Sequence, residues 1–286
     1  EGGAGSKLSN EEEVAQHRLV TDAVHAADAD VKICMQILHT GPLSGQRPVA
    51  PSAIKSRIAR EVPEALDDAG IEKQLEDFGR CARLAREAGY DGVEIIASAG
   101  YLLSAFLVAK TNQRTDKWGG NYENRMRFPL EGMRRVRAAG GEDFIVIYRV
   151  PAMDMLDDGM SWEEVVMLTQ AVEEAGATII NCHFTWHEAA VPTIATMVPR
   201  AAFTSVTQRL KKEIGIPIIA SNRINMPSVA ESVLSSGSAD LVAMARPMLA
   251  DSEFVNKAAE GREDEINTCI ACNQACLDHT FSRRPT

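Results

Sequence analysis

Three cysteines near the end of the chain, Cys269-x-x-Cys272-x-x-x-Cys276, carry the strongest chemical signal in the sequence. Thiolates this close together suit a soft metal or an iron–sulfur cluster, with zinc as the rival. A tetrahedral centre takes four ligands, and ten residues follow Cys276. The fourth ligand is therefore expected outside this chain. Cys182, far away at a strand end, is a poorer candidate. Two protonatable side chains come next: Tyr101 in Ala99-Gly100-Tyr101-Leu102-Leu103 and His187 in Thr185-Trp186-His187-Glu188. Either alone is more often structural. Both follow strand-like runs, and a phenol and an imidazole projecting into one mouth can serve as proton donor and as the group that tunes it. Arg223 and Arg246 follow two further apolar runs at equivalent positions, which suits a dianion such as phosphate. Arg149, near the end of Phe144–Val150, could stabilise an anion or an electron-rich ring. Gln36, polar within Met35-Gln36-Ile37-Leu38, must find a partner if it points inward.

The elements that position these residues repeat one pattern. An amphipathic helix ends in small residues and a glycine, and a short apolar run follows. Glu87-Ala88-Gly89 precedes Gly92–Ile96, Glu174-Ala175-Gly176 precedes Thr178–Asn181, and Ser235-Ser236-Gly237 precedes Leu241–Ala245. Glycine there ends a helix in the left-handed conformation, and the continuous apolar runs read as parallel strands covered on both faces. Six strands are predicted, near residues 31–38, 92–96, 144–150, 177–182, 216–220 and 240–245. Helices are predicted near 10–27, 70–88, 122–139, 161–175, 203–213, 226–236 and 251–260, with Ser161 and the acids after it as an N-terminal cap. Strict alternation gives an α/β protein. No G-x-G-x-x-G follows a strand, which argues against an open nucleotide-binding sheet. Long polar segments follow strand ends at 39–69, 97–121 and 183–202, as in a (β/α)8 TIM barrel. Six strands are two short of closure, so the first two βα units are expected upstream of Glu1.

The loop 111–120 and the helix start after it hold Asp116, Gly119, Gly120 and Arg125, which read as structural. The chain has 286 residues, 30 Lys+Arg against 40 Asp+Glu and a net charge of −10. Its 45% hydrophobic content excludes a disordered chain, its acidity gives no global pull toward nucleic acid or an anionic membrane, and its apolar runs are too short to span a bilayer. Cys34, Cys81 and Cys182 read as buried thiols and nothing suggests disulfides, so the expected compartment is a reducing cytoplasm.

Longer strings carry a resemblance. Gln36-Ile37-Leu38-His39-Thr40-Gly41, Thr111–Gly120 with Asn124–Phe128, Trp186-His187-Glu188 with Pro192–Ala195, Met244-Ala245-Arg246-Pro247, and Ile266–Cys276 resemble the bacterial NADPH-dependent 2,4-dienoyl-CoA reductases of the old yellow enzyme superfamily. The similarity runs along essentially the whole chain. It implies an incomplete FMN-binding barrel over residues 1–262 and the start of an iron–sulfur segment over 263–286. A C-terminal part bearing FAD and NADPH sites would complete the enzyme. Electrons would pass from NADPH through FAD and a [4Fe–4S] cluster to FMN, then to a dienoyl-CoA thioester. By motif match, Tyr101 and His187 would be catalytic. Gln36, Arg149, Arg223, Ala245 and Arg246 would contact FMN. Lys110, Thr111, Asn112 and Gln113, with Glu188, Ala189, Ala190 and Val191, would line the substrate site. Cys269, Cys272 and Cys276 would ligate the cluster. Related enoate reductases and amine dehydrogenases share the loop and cysteine motifs, and a zinc-stabilised inactive barrel is the remaining alternative. Ala99 stands where the family often carries an acid, His183-Phe184-Thr185 replaces a glycine-containing stretch, and Gly41-Pro42-Leu43-Ser44 departs from the usual Gly-Arg. These departures allow a different enoyl or dienoyl substrate.

Overall fold

Apolar residues repeat on one face of each central strand, and that face is where the helices pack. The computed structural model describes residues 7–282. In chain order the elements are α1 (Glu11–Ala27), β1 (Cys34–Ile37), β2 (Val49–Ala50), β3 (Glu64–Ala65), α2 (Asp68–Glu87), β4 (Gly92–Ile96), α3 (Leu102–Leu107), α4 (Tyr122–Gly140) and β5 (Ile145–Met153). They continue as α5 (Trp162–Glu174), β6 (Ile179–Phe184), α6 (Thr204–Lys211), β7 (Ile218–Ala220), α7 (Pro227–Ser235), β8 (Leu241–Val242), α8 (Arg246–Ala250), α9 (Phe254–Ala259) and α10 (Asp278–Ser282). Six strands form one sheet in the order β1-β4-β5-β6-β7-β8, every pair parallel. This is the sheet of an incomplete (β/α)8 barrel, with helices on one face and a lumen on the other.

Helix starts are capped where the sequence supplies a short polar side chain. Asp67 accepts from the Gly70 amide, Asn121 from the Asn124 amide, and Ser161 forms a reciprocal capping box with Glu164. Beneath the helices, Val93, Ile95, Val146, Tyr148, Val150, Ile180, Cys182 and Phe184 join one buried cluster with Ile71, Leu75 and Phe78 of α2. Stacked ring pairs, Phe106–Phe128 at 4.1 Å and Phe184–Phe203 at 4.8 Å, tie loop and helix residues into it. Gly92 is needed at the β4–β5 contact, since a β-carbon there would lie 2.3 Å from the Ile145 carbonyl oxygen.

Alternation sends the intervening residues into the lumen. They include the polar Gln36, Glu94, Arg149, Asn181 and His183 beside the apolar Ile147 and Ile179. The strands are therefore apolar on the helix face and mixed on the lumen face. β1 and β8 are shorter than expected because each is a sheet edge among the described residues. A strand extends only as far as a neighbour pairs with it, and pairing of β1 begins at Cys34 opposite Gly92. The short pair β2–β3, helix α3, helix α8 and helix α10 go beyond the predicted elements, whereas α9 falls within the helix predicted near 251–260. Helix α3 lies in an apolar run buried on all sides, which carries no helical period. Cys182 is fully buried as expected, but Cys34 and Cys81 are only half-buried.

Candidate active site

The proton-active pair meets at the carboxyl ends of β4 and β6. His187 Nε2 lies 2.9 Å from the Tyr101 hydroxyl, with the rings edge to face at 5.1 Å. The two loops are laced together. Ala99 and Trp186 form a parallel bridge, and the His187 amide donates to the Ala99 carbonyl. The turn needs left-handed backbone at Ala99 (φ 67°), Gly100 (φ 91°) and Thr185 (φ 88°); only glycine takes this conformation without cost. Burial raises the Tyr101 phenol above its ordinary value, partly countered by the positive field of Arg149. Burial also lowers His187 below the usual imidazole range. At neutral pH the pair is thus a protonated phenol against a neutral imidazole.

A polar network lines the lumen below this pair. Glu94 accepts from Gln36 Nε2 at 2.5 Å and from Asn181 Nδ2 at 2.6 Å, and Arg149 Nη1 lies 3.7 Å away. The sequence pattern singles out Gln36 but not Glu94, although both are polar residues inside an apolar strand. Asn181 Oδ1 and His183 Nδ1 are buried without a partner. Burial, with the positive field of Arg149, pushes His183 down to about 3, so it is neutral. Asn181 pairs with Arg149 across the sheet and His183 with Pro151, two residues further up. The orphaned atoms therefore lie along the lumen side of one strand. A flat heterocycle with donors and acceptors at its edge fits these atoms, and Gln36, Arg149, Asn181 and His183 line the side of the lumen where such a group would be held.

The other expected residues separate into groups. Lys110, Thr111, His187 and Glu188 line a narrow cavity with Lys55 and Trp186. The cavity measures about 40 Å³, room for little more than a water. Arg57 Nη2 donates to the Glu188 carbonyl at 2.5 Å. Ala189, Ala190 and Val191 lie further along the same loop, outside this lining. Asn112 is buried and faces its own loop: its Nδ2 donates to the Phe106 and Trp118 carbonyls at 2.7 and 2.8 Å. It braces the loop. Gln113 is exposed and its amide donates to Ser52. Arg125, expected to be structural, bonds the Leu107 and Gly120 carbonyls and pairs with Glu164.

Arg223 and Arg246, expected at a phosphate, use their side chains elsewhere. Arg223 Nε donates to the Val198 carbonyl at 2.7 Å, and Arg246 donates to Asn273 Oδ1. Exposed Ala245 caps α8. Arg246 therefore helps to dock the cysteine segment, as do Asn225, which donates to the Cys269 carbonyl at 2.7 Å, and Thr196, which donates to the Ile270 carbonyl at 2.9 Å. Cys269 and Cys276 are half-buried and Cys272 is exposed. Among the described residues no group of three or more His, Cys, Asp or Glu is arranged to hold a metal ion. The three thiols share one loop but do not converge, so as they stand they do not fit a cluster. No helix among the described residues is long and apolar enough to cross a membrane.

Residues 4–265 match the family described as NADH:flavin oxidoreductase / NADH oxidase. The chain belongs to this family. It is 42% identical over 285 residues to a metal reductase of Desulforamulus reducens, covering 98% of this chain and 42% of that protein. It is 35% identical to an NADH oxidase of Thermoanaerobacter brockii, covering 95% of this chain and 42% of that protein. Among solved structures, a 2-naphthoyl-CoA reductase in complex with 2-naphthoyl-CoA superposes with a TM-score of 0.92 at 31% identity, covering 97% of this chain and 45% of that one. The chain thus spans less than half the length of these relatives. Membership of the old yellow enzyme family accounts for the barrel sheet and for the lumen that receives FMN.

Proposed function

We propose that this chain is the FMN-binding portion of an NAD(P)H-dependent oxidoreductase that reduces a carbon–carbon double bond conjugated to a thioester, a 2,4-dienoyl-CoA being the leading substrate. The observation that carries the reading is the 2.9 Å Tyr101–His187 contact at the mouth of a lumen whose orphaned polar atoms suit a flavin. The relative crystallised with an aryl-CoA thioester supports the substrate class.

Bound FMN would supply a hydride to the distal carbon of the conjugated system. The chain's own residues supply the proton. With its Nε2–H directed at the Tyr101 oxygen, neutral His187 leaves the phenolic hydrogen free to point at the substrate carbon. As that proton leaves, the phenolate is held by the His187 N–H and by the Arg149 charge that already favours it. Trp186 forms the cavity wall beside His187. Cys269, Cys272 and Cys276 would contribute three cluster ligands once a fourth, outside this chain, draws them together. NADPH and FAD would bind in the remaining part of the protein.

An amine-oxidising role is the second reading within the family. Lys55 and Lys110 at the cavity wall favour an anionic substrate over a cationic amine. The full-length protein should be yellow, contain iron and acid-labile sulfide, and oxidise NADPH with a dienoyl-CoA but not with amines. A colourless protein holding zinc would contradict the proposal, and turnover of amines alone would favour the second reading.

A further inference from the structure

We propose that Asp154 is a positioning residue for proton delivery: by gripping the Trp186 indole it fixes His187, and through His187 the Tyr101 hydroxyl. This rests on the reading of Tyr101 and His187 as the proton-donating pair.

Asp154 directly follows β5 and is 5% exposed. Its two carboxylate oxygens are divided between two loops. Oδ1 accepts from Trp186 Nε1 at 2.7 Å, and Oδ2 accepts from the Met160 amide at 2.9 Å. Its backbone carbonyl accepts from the Trp186 amide at 3.1 Å, while Met153 O accepts from Thr185 N at 2.7 Å. Trp186 is therefore held at both its backbone and its indole nitrogen by one residue. The indole also lies on the turn before Tyr101, where a β-carbon added to Gly100 would sit 3.0 Å from Trp186 Cε3. Trp186 is thus clamped between Asp154 and the Ala99–Gly100 backbone. His187 is the next residue, and its amide is bonded to Ala99. A rotation of the indole would shift His187 relative to Tyr101, and misplacement on the ångström scale costs about a hundredfold in rate. A hydrophobic wall would need no carboxylate here. A buried carboxylate is costly unless it is hydrogen-bonded, and both oxygens of this one are.

The carboxylate is buried yet reachable. It lines a second cavity of about 610 Å³, whose lining includes neither Tyr101 nor His187, with Met153, Met155, Met160, Trp162 and Arg209. Burial pushes its carboxyl up to about 6. The bonds from Met160 and Trp186 oppose this rise, and Glu164 of α5 adds to it. Asp158 of the same loop and Arg209 of α6 are the other charged groups on this cavity. Proton uptake weakens Asp154 as an acceptor, so the grip on Trp186 loosens as pH falls through this range.

The test is a double-mutant cycle on the full-length reduced holoenzyme, read as the rate at which a dienoyl-CoA reoxidises the flavin across pH 5 to 8. Asp154→Asn should slow this step on the order of tenfold to a hundredfold. It should also abolish an inflection near pH 6, while leaving flavin binding and reduction by NADPH unchanged. In a Tyr101→Phe background the same substitution should have little further effect, because the pair it positions is already broken. Trp186→Phe, which removes the indole N–H and keeps an aromatic ring, should reproduce the loss of the inflection and carries the test if Asp154→Asn does not fold. An Asp154→Asn effect of equal size in both backgrounds, or an unchanged pH profile in both single variants, overturns the proposal. If Tyr101→Phe alone has no effect, the donor reading fails instead, whatever Asp154 does.

Discussion

At the scale of single residues, opposite shifts of Tyr101 and His187 define the site. Burial keeps the phenol protonated and the imidazole neutral, the combination in which a hydroxyl can give up its proton beside a hydrogen-bond donor. Lys110 has a separate role at the cavity wall. Lys110→Ala should raise KM for an acyl-CoA roughly tenfold with little change in kcat, because it removes attraction that is equal in ground and transition states. An unchanged KM in steady-state assays would remove Lys110 from the substrate site. Asp154 also has a thermodynamic signature. Its folded pKa of about 6 lies above its ordinary value of 3.8, so the folded protein binds more protons than the unfolded one between these values. Its contribution to stability is therefore greatest below about pH 4 and declines as pH rises through about 6. The total change is about 3 kcal/mol, since each pH unit separating the folded from the unfolded pKa is worth ~1.4 kcal/mol. Thermal melts of wild type and Asp154→Asn should accordingly diverge between pH 4 and 6 and run parallel above pH 7. Parallel melts throughout would show that the carboxyl titrates normally.

At the scale of elements, the β4–β5 seam is the tightest constraint. A Gly92→Ala β-carbon meets backbone at 2.3 Å and the Ile145 β-carbon at 2.5 Å. Neither atom belongs to a flexible side-chain end, so the strands must part. The expected loss is about 3 kcal/mol, measurable by urea denaturation of the full-length protein; a loss below about 1 kcal/mol would mean that the seam yields. This seam also shows what the sequence makes legible. The Gly-turn and apolar run around Gly92–Ile96 mark β4 within the bounds seen; the repeat marks five of the six sheet strands, and β1 is legible only as an apolar run. At the edges β1 and β8 the apolar runs outlast the strands, because sequence shows apolar character whereas pairing sets strand length. Helix α3 is hidden in Leu102–Leu107, where every residue is buried and no periodicity remains. Tyr101 and His187 are legible as polar rings just past strand ends. Asp154 is not, because Met153-Asp154-Met155 has no motif and its meaning comes only from Trp186, 32 residues on. Arg223 and Arg246 look like phosphate ligands by position, but their guanidinium groups bond a carbonyl and an amide.

At the scale of the whole molecule, six parallel strands leave two sheet edges without strand partners among the described residues. Val31, Leu38 and Leu241 are exposed along them. Unpaired parallel edges with apolar side chains invite strand addition. Residues 1–286 expressed alone should therefore self-associate, seen as concentration-dependent light scattering, whereas the full-length protein should not; a monodisperse fragment would show that the edges are covered by its own loops. The cysteine loop extends this logic. Asn225, Thr196 and Arg246 dock it on the barrel rim, on the same end of the sheet as the Tyr101–His187 pair.

The central claim is that Tyr101 delivers a proton to a substrate reduced at this rim. It is tested most directly by mixing anaerobically reduced full-length Tyr101→Phe with a 2,4-dienoyl-CoA and following flavin absorbance. The account predicts wild-type flavin content and reoxidation slowed at least about a hundredfold. Reoxidation at the wild-type rate would contradict it.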